Sequence, residues 1–483
     1  MAVKILMPAL SPTMESGKIA QWLVEENETV ASGDILAEIE TDKAIVELEA
    51  IDDGVVGKIL FEAGPDQIKV NQPIAVLLLD GEDASAATAL MLQDDAQEPQ
   101  DELPDEPQNE PQNEPQNEPQ DAPQHADPVT PVDAQPAATR LAAELTLPAD
   151  TIYREMAMRE ALRDALAEEM RRDGDVFIMG EEVAEYEGAY KVTQGLLDEF
   201  GGQRVIDTPI TEHAIAGLGT GAAFSGLKPV VEFMTFNFAM QAIDQIVNSA
   251  AKTRYMSGGQ ISCPIVFRGP NGVASRVAAQ HSQDYSSWHA HVPGLIVLSP
   301  ANASEAKGLL KAAIRDPNPV VFLEHELLYG ETGQVPDYDD YVLPIGRARI
   351  VRSGADVTLV AYARGVAMAL EAADALSDIG LEAEVIDLRS LRPLDVDTVI
   401  ASVEKTNRMV TIEEGWPICS IGSELAAQVQ RHAFDALDAP IEAVNGADVP
   451  MPYAENLERL ALPQVAQIIA AAKRAAYFRD ATA

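Results

Sequence analysis

The chain of 483 residues is long enough for about three domains, and 47% of its residues are hydrophobic, which is ample for several cores. Its formal net charge of -44 argues against unaided binding to nucleic acid or to an anionic membrane, because long-range repulsion opposes both. The only two cysteines, Cys263 and Cys419, lie far apart and predict neither a disulfide framework nor a zinc site. The first residues contain no apolar signal core, and no run is long enough to cross a bilayer, so we expect a soluble, cytoplasmic protein of a bacterial kind.

Residues 1–80 have the pattern of a small all-β domain with an internal repeat. Gly17-Lys18-Ile19 recurs as Gly57-Lys58-Ile59, forty residues further on. Two similar halves predict a pseudo-symmetric β-sandwich. The runs that predict its strands are Lys4–Met7, Lys18–Val24, Ile35–Ile39, Ala44–Leu48 and Gly57–Leu60.

Lys43 lies between the two halves, where a hairpin tip should project into solvent. A single exposed lysine usually has no special role. However, the Asp42-Lys43-Ala44 turn, the segment Met7–Gly17 and the repeat together resemble the lipoyl domains of 2-oxo-acid dehydrogenase complexes over residues 1–80. The resemblance implies that Lys43 carries lipoic acid in amide linkage. Biotinyl domains share this fold but typically flank their lysine with methionines, which are absent from these positions.

Residues 81–150 predict a disordered linker rich in proline, glutamine and acid. Within them Glu-Pro-Gln-Asn occurs three times in succession over residues 106–117. Regular proline favours polyproline II and the carboxylates repel one another, so we expect an extended, semi-stiff tether that lets the N-terminal domain travel. A passive spacer is the alternative.

The remaining sequence alternates apolar strands with helical stretches, which is typical of parallel-sheet α/β domains. We place one such domain at residues 151–335 and a smaller one at 336–483. The strands predicted in the first are Val176–Gly180, Val230–Phe233, Pro264–Phe267 and Ile296–Leu298; those in the second are Val357–Val360, Ala383–Asp387, Met409–Ile412 and Ile441–Val444.

Three residues of the first α/β domain are candidates for chemistry. Glu212 precedes a Gly/Ala-rich helix predicted at residues 214–225, where an acid is first of all a favourable helix-dipole or capping partner. Phe238 follows a strand and could stack on a flat ring, although it is as easily a core residue. The third, His281, lies in the polar run Gln280–Asp284.

From Tyr153 to its end, the chain resembles the β subunits of the thiamin-diphosphate-dependent decarboxylating component of 2-oxo-acid dehydrogenases, in particular the pyruvate branch. The resemblance implies that Glu212 hydrogen-bonds a ring nitrogen of the cofactor's aminopyrimidine and that Phe238 lies against that ring. It also implies that His281 acts as an acid/base in acyl transfer to a lipoyl sulfur. For His289 and His291 a structural role is preferred.

One family motif is missing. Thiamin enzymes anchor the diphosphate through Mg²⁺ with a Gly-Asp-Gly motif, and the nearest string here, Asp173-Gly174-Asp175, is reversed and explained by a turn. We therefore predict no metal ligand in this chain. The resemblance implies an α subunit that holds Mg²⁺ and the diphosphate in an α2β2 heterotetramer, which docks on a dihydrolipoyl acetyltransferase core.

The expected function is thiamin-dependent oxidative decarboxylation of pyruvate with reductive acetylation of lipoyl groups. An enzymatic alternative is a β subunit acting on branched-chain 2-oxo acids or acetoin. The alternative from another class is a lipoyl carrier or assembly subunit that has lost catalysis. The retained Glu212 and His281 speak against it.

Overall fold

The computed structural model describes residues 3–8, 16–31, 33–40, 45–50, 53–64, 67–70, 72–78 and 147–478. The chain forms two compact units, Met1–Ala126 and Asp127–Ala483. Within the described ranges, no helix is long and apolar enough to cross a membrane.

The first unit is a β-sandwich, as predicted. One sheet has the strand order β1-β8-β6-β3 and the other β5-β4-β2-β7. The two orders correspond when β1 is matched with β5, β8 with β4, β6 with β2 and β3 with β7, a shift of four strands in every case. The repeat in the sequence is therefore a two-fold relation between the sheets. The strands are β1 (Val3–Leu6), β2 (Ser16–Trp22), β3 (Thr29–Val30), β4 (Ile35–Glu40), β5 (Ile45–Glu49), β6 (Gly54–Ile59), β7 (Ile68–Lys69) and β8 (Pro73–Leu78).

The sandwich is held together by apolar side chains between its two sheets. Ile19, Ile39 and Ile74 are at most 1% exposed, and burial of each such side chain stabilises the fold by about 1.5–3 kcal/mol. Strands β4 and β5 pair antiparallel, with Glu40 opposite Ile45. Lys43 belongs to the connection between them and lies outside the described residues.

Most of the predicted linker also lies outside the described residues, which resume at Leu147. The disorder predicted for residues 81–150 therefore stays a prediction. Leu147 packs against the hydrophobic core of the second unit. A residue inside the predicted linker, three positions before its end, therefore contacts that core.

The second unit contains two large sheets and a separate two-stranded pair, and the α/β architecture predicted for it is confirmed. In the first, β11-β10-β12-β13-β15-β14 are all parallel. The strands are β9 (Tyr153–Ala157), β10 (Val176–Gly180), β11 (Val205–Asp207), β12 (Lys228–Glu232), β13 (Val266–Pro270), β14 (Ile296–Leu298), β15 (Val320–Glu324) and β16 (Thr332–Pro336). Strands β9 and β16 form a separate antiparallel pair.

Helices cover both faces of this sheet, which explains why its strands are almost continuously apolar. The α-helices are α1 (Met158–Arg172), α2 (Leu196–Phe200), α3 (Glu212–Phe224), α4 (Ala251–Met256), α5 (Ser286–Ala290) and α6 (Ala303–Arg315). Short helices of other types lie at Phe236–Ala242, Gln245–Ala250, Ala279–His281 and Glu326–Leu328. Asn302 begins α6 by accepting a hydrogen bond from the Glu305 amide, at 3.0 Å.

The second sheet has the order β17-β19-β18-β21-β22, parallel except for β17. Its strands are β17 (Arg349–Arg352), β18 (Val357–Ala361), β19 (Ala383–Asp387), β21 (Met409–Ile412) and β22 (Glu442–Val444). Its helices are α7 (Arg364–Ser377), α8 (Val396–Thr406), α9 (Ile421–His432), the short helix Phe434–Ala436, α10 (Glu455–Ala461) and α11 (Val465–Ala475).

Strand β20 (Ser390–Arg392) crosses between the two domains. It comes from the C-terminal part of the chain but pairs antiparallel with β14 of the first sheet. Side chains from both domains also form one hydrophobic cluster, in which Phe267 and Val360 are at most 1% exposed. The two α/β domains therefore share a sheet edge and a core.

Candidate active site

A cleft of about 340 Å³ opens at the carboxyl ends of the parallel strands of the first sheet, where α/β proteins commonly bind ligands. It brings together the three candidates from the sequence, Glu212, Phe238 and His281, although they are far apart along the chain. The lining residues are Glu181, Tyr190, Ile210, Glu212, Met234, Thr235, Phe238, Gln241, Ala274, Val277, His281 and Glu326.

Glu212 is the first residue of α3, and its side chain is buried, with 7% exposure. Close packing of α3 on the sheet sets its position: a Cβ added at Gly219 would stand 2.6 Å from Val231 of β12, so only glycine allows this approach. The positive end of the helix dipole favours a carboxylate at this position. Glu212 thus combines desolvation, helix-dipole stabilisation and access to the cleft.

Glu181 is a second carboxylate in the cleft, which the sequence argument missed. It directly follows β10 and is 8% exposed. Burial, and after it the neighbouring carboxylate of Glu212, raise the pKa of Glu181 above its ordinary value. The sequence did contain a signal that could have identified Glu181: it directly follows a predicted buried strand and stands next to a second acid, Glu182. Glu181 and Glu212 are therefore neighbouring acids of the cleft with different environments.

Phe238 and His281 meet across the cleft edge to face, with ring centroids 5.0 Å apart and planes at 82°. Asn237 braces the two segments that carry them. Its side-chain oxygen accepts a hydrogen bond from the Gln283 amide at 2.9 Å, and its side-chain amide donates to Thr235 Oγ1 at 2.6 Å. Because Asn237 is buried, these hydrogen bonds fix the short helix of Phe238 against the loop of His281.

A buried charged cluster lies beneath the cleft, on three neighbouring strands. Arg268 of β13 donates to Glu232 of β12 and, through two nitrogens at 2.5 Å each, to Glu324 of β15. Tyr329 also donates to Glu324, at 2.6 Å. Burial raises the pKa of Glu232, so the adjacent guanidinium is needed to keep it ionised.

Tyr190 and Glu326 form the opposite wall of the cleft. The Tyr190 hydroxyl donates to Glu326 Oε2 at 2.9 Å, and burial raises the pKa of Tyr190 above its ordinary value. The other carboxylate oxygen of Glu326 accepts from the Ser275 amide at 3.3 Å. Glu326 therefore links this wall to the loop that carries Ala274, Val277 and His281.

The other histidines occupy different settings. His289 is 3% exposed, packs edge to face on Phe236 and has its pKa lowered to about 4 by burial, which agrees with a structural role. His291 is exposed and lines a different groove. His213 is exposed beside Glu212, and its ring contacts the Gln245 side chain at 3.3 Å.

The cleft fits an aminopyrimidine ring but not a diphosphate. It offers a buried carboxylate for a ring nitrogen, an aromatic side chain and apolar walls. No lysine or arginine is among the lining residues. Within the described parts of the chain, no group of three or more His, Cys, Asp or Glu side chains could hold a metal ion.

Family models match three segments of the chain. Residues 154–332 match the pyrimidine-binding domain of transketolase, and residues 346–468 match the transketolase C-terminal domain. Residues 3–77 match a model described as biotin-requiring enzyme. The first two matches correspond to the two α/β domains and the third to the β-sandwich.

Several proteins of other organisms are similar over long stretches. The pyruvate dehydrogenase E1 component subunit beta of Rhizobium meliloti is 61% identical over 477 residues, which cover 99% of this chain and all of that protein. The beta-2 subunit of rice mitochondria is 61% identical over 70% of this chain and 91% of its own. The subunit of Rickettsia felis is 60% identical over 67% of this chain and 99% of its own.

A solved structure entitled split gene transketolase, inactive beta4 tetramer, is similar with a TM-score of 0.55 and 24% identity. The match covers 67% of this chain and 99% of that one. At this identity the similarity shows the fold alone.

Proposed function

The chain belongs to the family of pyruvate dehydrogenase E1 component β subunits, and from this premise we propose that it supplies the pyrimidine half of a thiamin-diphosphate site that decarboxylates pyruvate and acetylates lipoyl groups. The observation that carries the proposal is the meeting of Glu212, Phe238 and His281 in one cleft. Bound thiamin diphosphate would supply the carbon nucleophile that attacks the substrate ketone.

Glu212 would hold the aminopyrimidine and share a proton with one of its ring nitrogens. Its burial makes that hydrogen bond strong, because water competes poorly with it in the cleft. Phe238 would lie against the ring and fix its plane. These two residues together would position the cofactor and hold the proton on which its activation depends.

His281 would act when the acetyl group passes to a lipoyl sulfur. Its side chain is exposed, so it can meet a lipoyl arm that enters from solvent, while its ring rests on Phe238. An imidazole at this place can donate a proton to the sulfur or accept one from it.

The second half of the site would come from an α subunit in an α2β2 heterotetramer. The cleft lacks a basic side chain for the diphosphate, so the α subunit would hold the phosphates and Mg²⁺. Apolar side chains near the cleft and on α3 and α4 are exposed by 67–91%, as expected of a surface that a partner covers. They are Ile210, Leu218, Tyr255 and Met256. Further expected partners are pyruvate and the dihydrolipoyl acetyltransferase core, in the cytoplasm of a bacterial cell.

Lys43 would carry a covalent lipoyl group, which gives the chain its own acyl acceptor. Amidation removes the lysine charge and places a dithiolane on a flexible arm. The linker would then raise the local concentration of this acceptor around the active sites of the complex.

The decisive experiment is to express the chain with its α partner and measure pyruvate-dependent acetylation of lipoyl groups by mass spectrometry. Turnover of pyruvate should exceed that of 3-methyl-2-oxobutanoate and acetoin. A preference for the branched acid or for acetoin would contradict the pyruvate assignment. Full decarboxylation by a Glu212→Gln complex would instead support a carrier whose α/β domains have lost their catalytic role.

Modification of Lys43 has its own test. The intact mass of the chain from lipoylation-competent cells should exceed that of the Lys43→Arg variant by one lipoyl group, after correction for the substitution. Lys58→Arg, on β6 of the same domain, is the matched control and should keep the modification. An unmodified wild-type chain would refute this part of the proposal.

A further inference from the structure

The loop 272–283, which we name the cleft loop, carries Ala274, Val277 and His281 into the cleft. Its base is closed where Gly272 donates its amide to the Gln283 carbonyl, at 2.9 Å. Two of its residues, Arg276 and Ala278, have positive φ angles of 59° and 63°, which non-glycine residues seldom adopt. Such a loop needs contacts outside itself to hold one conformation.

One such contact comes from the C-terminal domain. Glu414 lies just after β21, and its side chain is 8% exposed. Its Oε1 accepts a hydrogen bond from the Val273 amide at 3.4 Å, and its Oε2 lies 2.6 Å from Nε2 of His325. This carboxylate therefore reaches across the domain boundary to the first residues of the cleft loop.

His325 completes the contact and has a defined tautomer. Its Nδ1 accepts a hydrogen bond from the Leu327 amide at 3.2 Å, so Nε2 carries the proton and donates to Glu414. Gly272 lies directly against this pair. A Cβ there would stand 3.2 Å from Nε2 of His325 and 3.8 Å from Oε1 of Glu414, at a φ of 83°.

A second bridge between the cleft loop and the C-terminal domain is weaker. Arg276 pairs with Glu455 of α10 at 2.9 Å, but both side chains are more than half exposed. Exposed ion pairs contribute little to stability. The contact of Glu414 with His325 and Val273, in contrast, is buried. The Glu414 contact is therefore the principal restraint from the C-terminal domain.

We propose that Glu414 is a positioning residue, which acts through His325 and the Val273 amide to hold the cleft loop so that His281 faces an incoming lipoyl group. The proposal rests on the role given to His281 under the proposed function. It makes the C-terminal domain, which lines none of the cleft, a determinant of the acyl-transfer step.

The test uses the full chain in complex with its α partner and two assays of the same preparation. The first measures pyruvate-dependent reduction of an artificial dye, which requires decarboxylation but no lipoyl group. The second measures acetylation of the lipoyl domain. We expect Glu414→Ala to slow acetylation by about 10- to 100-fold, as for a reacting group displaced by about 1 Å, with a smaller effect on dye reduction and an unchanged KM for pyruvate.

Glu414→Gln is the conservative variant. Its amide oxygen can accept from His325 or from Val273 but not from both, so we expect a smaller loss confined to the acetylation assay. This variant also keeps the test decisive if Glu414→Ala does not fold. Equal losses in both assays for Glu414→Gln would overturn the proposal.

Glu384→Gln is the matched control for burial of a carboxylate in the same domain. Glu384 is 1% exposed and bonds Ser402 at 2.7 Å and Lys405, all within the C-terminal domain. The Glu384→Gln variant should leave the ratio of the acetylation rate to the dye-reduction rate unchanged. The same change of ratio in Glu384→Gln would show that general destabilisation is the cause.

A double-mutant cycle separates positioning from an independent effect. If Glu414 acts through His281, then Glu414→Ala should add little to the loss of acetylation caused by His281→Ala. Multiplicative losses would overturn the proposal. A wild-type complex without activity on pyruvate would refute the proposed function itself, whereas an active wild type with an unchanged ratio in Glu414→Ala refutes only the positioning role.

Discussion

The two α/β domains place acids in equivalent positions but use them differently. In both, carboxylates follow the carboxyl ends of parallel strands: Glu181 after β10 in the first domain, Glu413 after β21 in the second. Glu181 and Glu212 line an open cleft without a cationic partner among its lining residues. Both oxygens of Glu413 are instead filled by hydrogen-bond donors of its own chain. The donors are the Ile421 and Gly422 amides at the start of α9, the Asn445 side chain and the Tyr362 hydroxyl.

Position at the end of a strand therefore does not by itself make a carboxylate functional. A carboxylate whose acceptor sites are all filled by its own chain is structural, and one that faces a cleft is available to a ligand. Substitutions of acids of both kinds test this distinction.

The largest effect is expected for Glu212→Gln. The amide cannot share a proton with the cofactor, so pyruvate turnover of the complex should fall by about 10²–10⁴-fold, as when an acid/base group is lost. Thermal unfolding should stay close to the wild-type value. Steady-state kinetics and calorimetry on the same sample check both statements, and a fully active variant would contradict the functional role of Glu212.

Arg268→Met tests the buried cluster beneath the cleft. Removal of the guanidinium leaves Glu232 and Glu324 buried without their cation, so the free energy of unfolding should fall by about 3–5 kcal/mol. Denaturant unfolding of the β chain measures the loss. Lys228→Met, which breaks a partly exposed pair with Asp173, is the control and should cost much less. Equal losses of unfolding free energy in Arg268→Met and Lys228→Met would contradict the view that the buried cluster depends on its guanidinium.

A smaller loss is expected for Glu413→Gln. One acceptor oxygen becomes a donor that faces other donors, which should lower the free energy of unfolding by about 1–3 kcal/mol. Turnover per folded molecule should remain near the wild-type value. A loss of activity as large as that of Glu212→Gln, without loss of stability, would show that the two domains do not divide their acids as described.

The last prediction concerns Asp387, at the end of β19, and the way in which stability depends on pH. Burial, and after it the Glu305 carboxylate, raise the pKa of Asp387 well above its ordinary value. An acid whose pKa is raised by folding stabilises the protein fully below its unfolded pKa, near 4, and loses that contribution as the pH rises toward its folded pKa. Asp387→Asn should therefore gain stability relative to the wild type above pH 4, by up to about 1.4 kcal/mol per pH unit.

Denaturation at a series of pH values from 5 to 9 checks this slope. The buried Oδ2 of Asp387 has no hydrogen-bond donor in the described structure, which is the expected state of an oxygen that shares a proton with a neighbouring carboxylate. A difference between variant and wild type that does not change with pH would contradict the assignment.

Much of the fold was predictable because its signals are local. Val176–Gly180, Ile296–Leu298, Ala383–Asp387 and Met409–Ile412 were predicted with the observed bounds, since each is a short run that contains both valine and isoleucine, which favour strands. The repeat predicted the β-sandwich for the same reason. The helix predicted at residues 214–225 begins two residues earlier, at Glu212, because its first turn is polar.

The parts that were missed depend on residues that come together only in the folded chain. Strand β20 has three residues and is defined only by its partner β14. Arg268 belongs to a strand that is otherwise apolar or glycine, and its two acidic partners are far away in sequence. Glu181 carries no motif of its own. Glu212, Phe238 and His281 came from a family resemblance, and their shared cleft came from the structure.

The crossing of β20 has a consequence for how the chain can be cut. A fragment that stops after β16 would leave β14 with a bare row of amide and carbonyl groups, and such an open edge recruits strands of other molecules. The first α/β domain produced alone should therefore aggregate. Separate halves of this unit are poor modules for engineering, whereas a cut within the linker leaves the hydrogen bonds of both sheets complete.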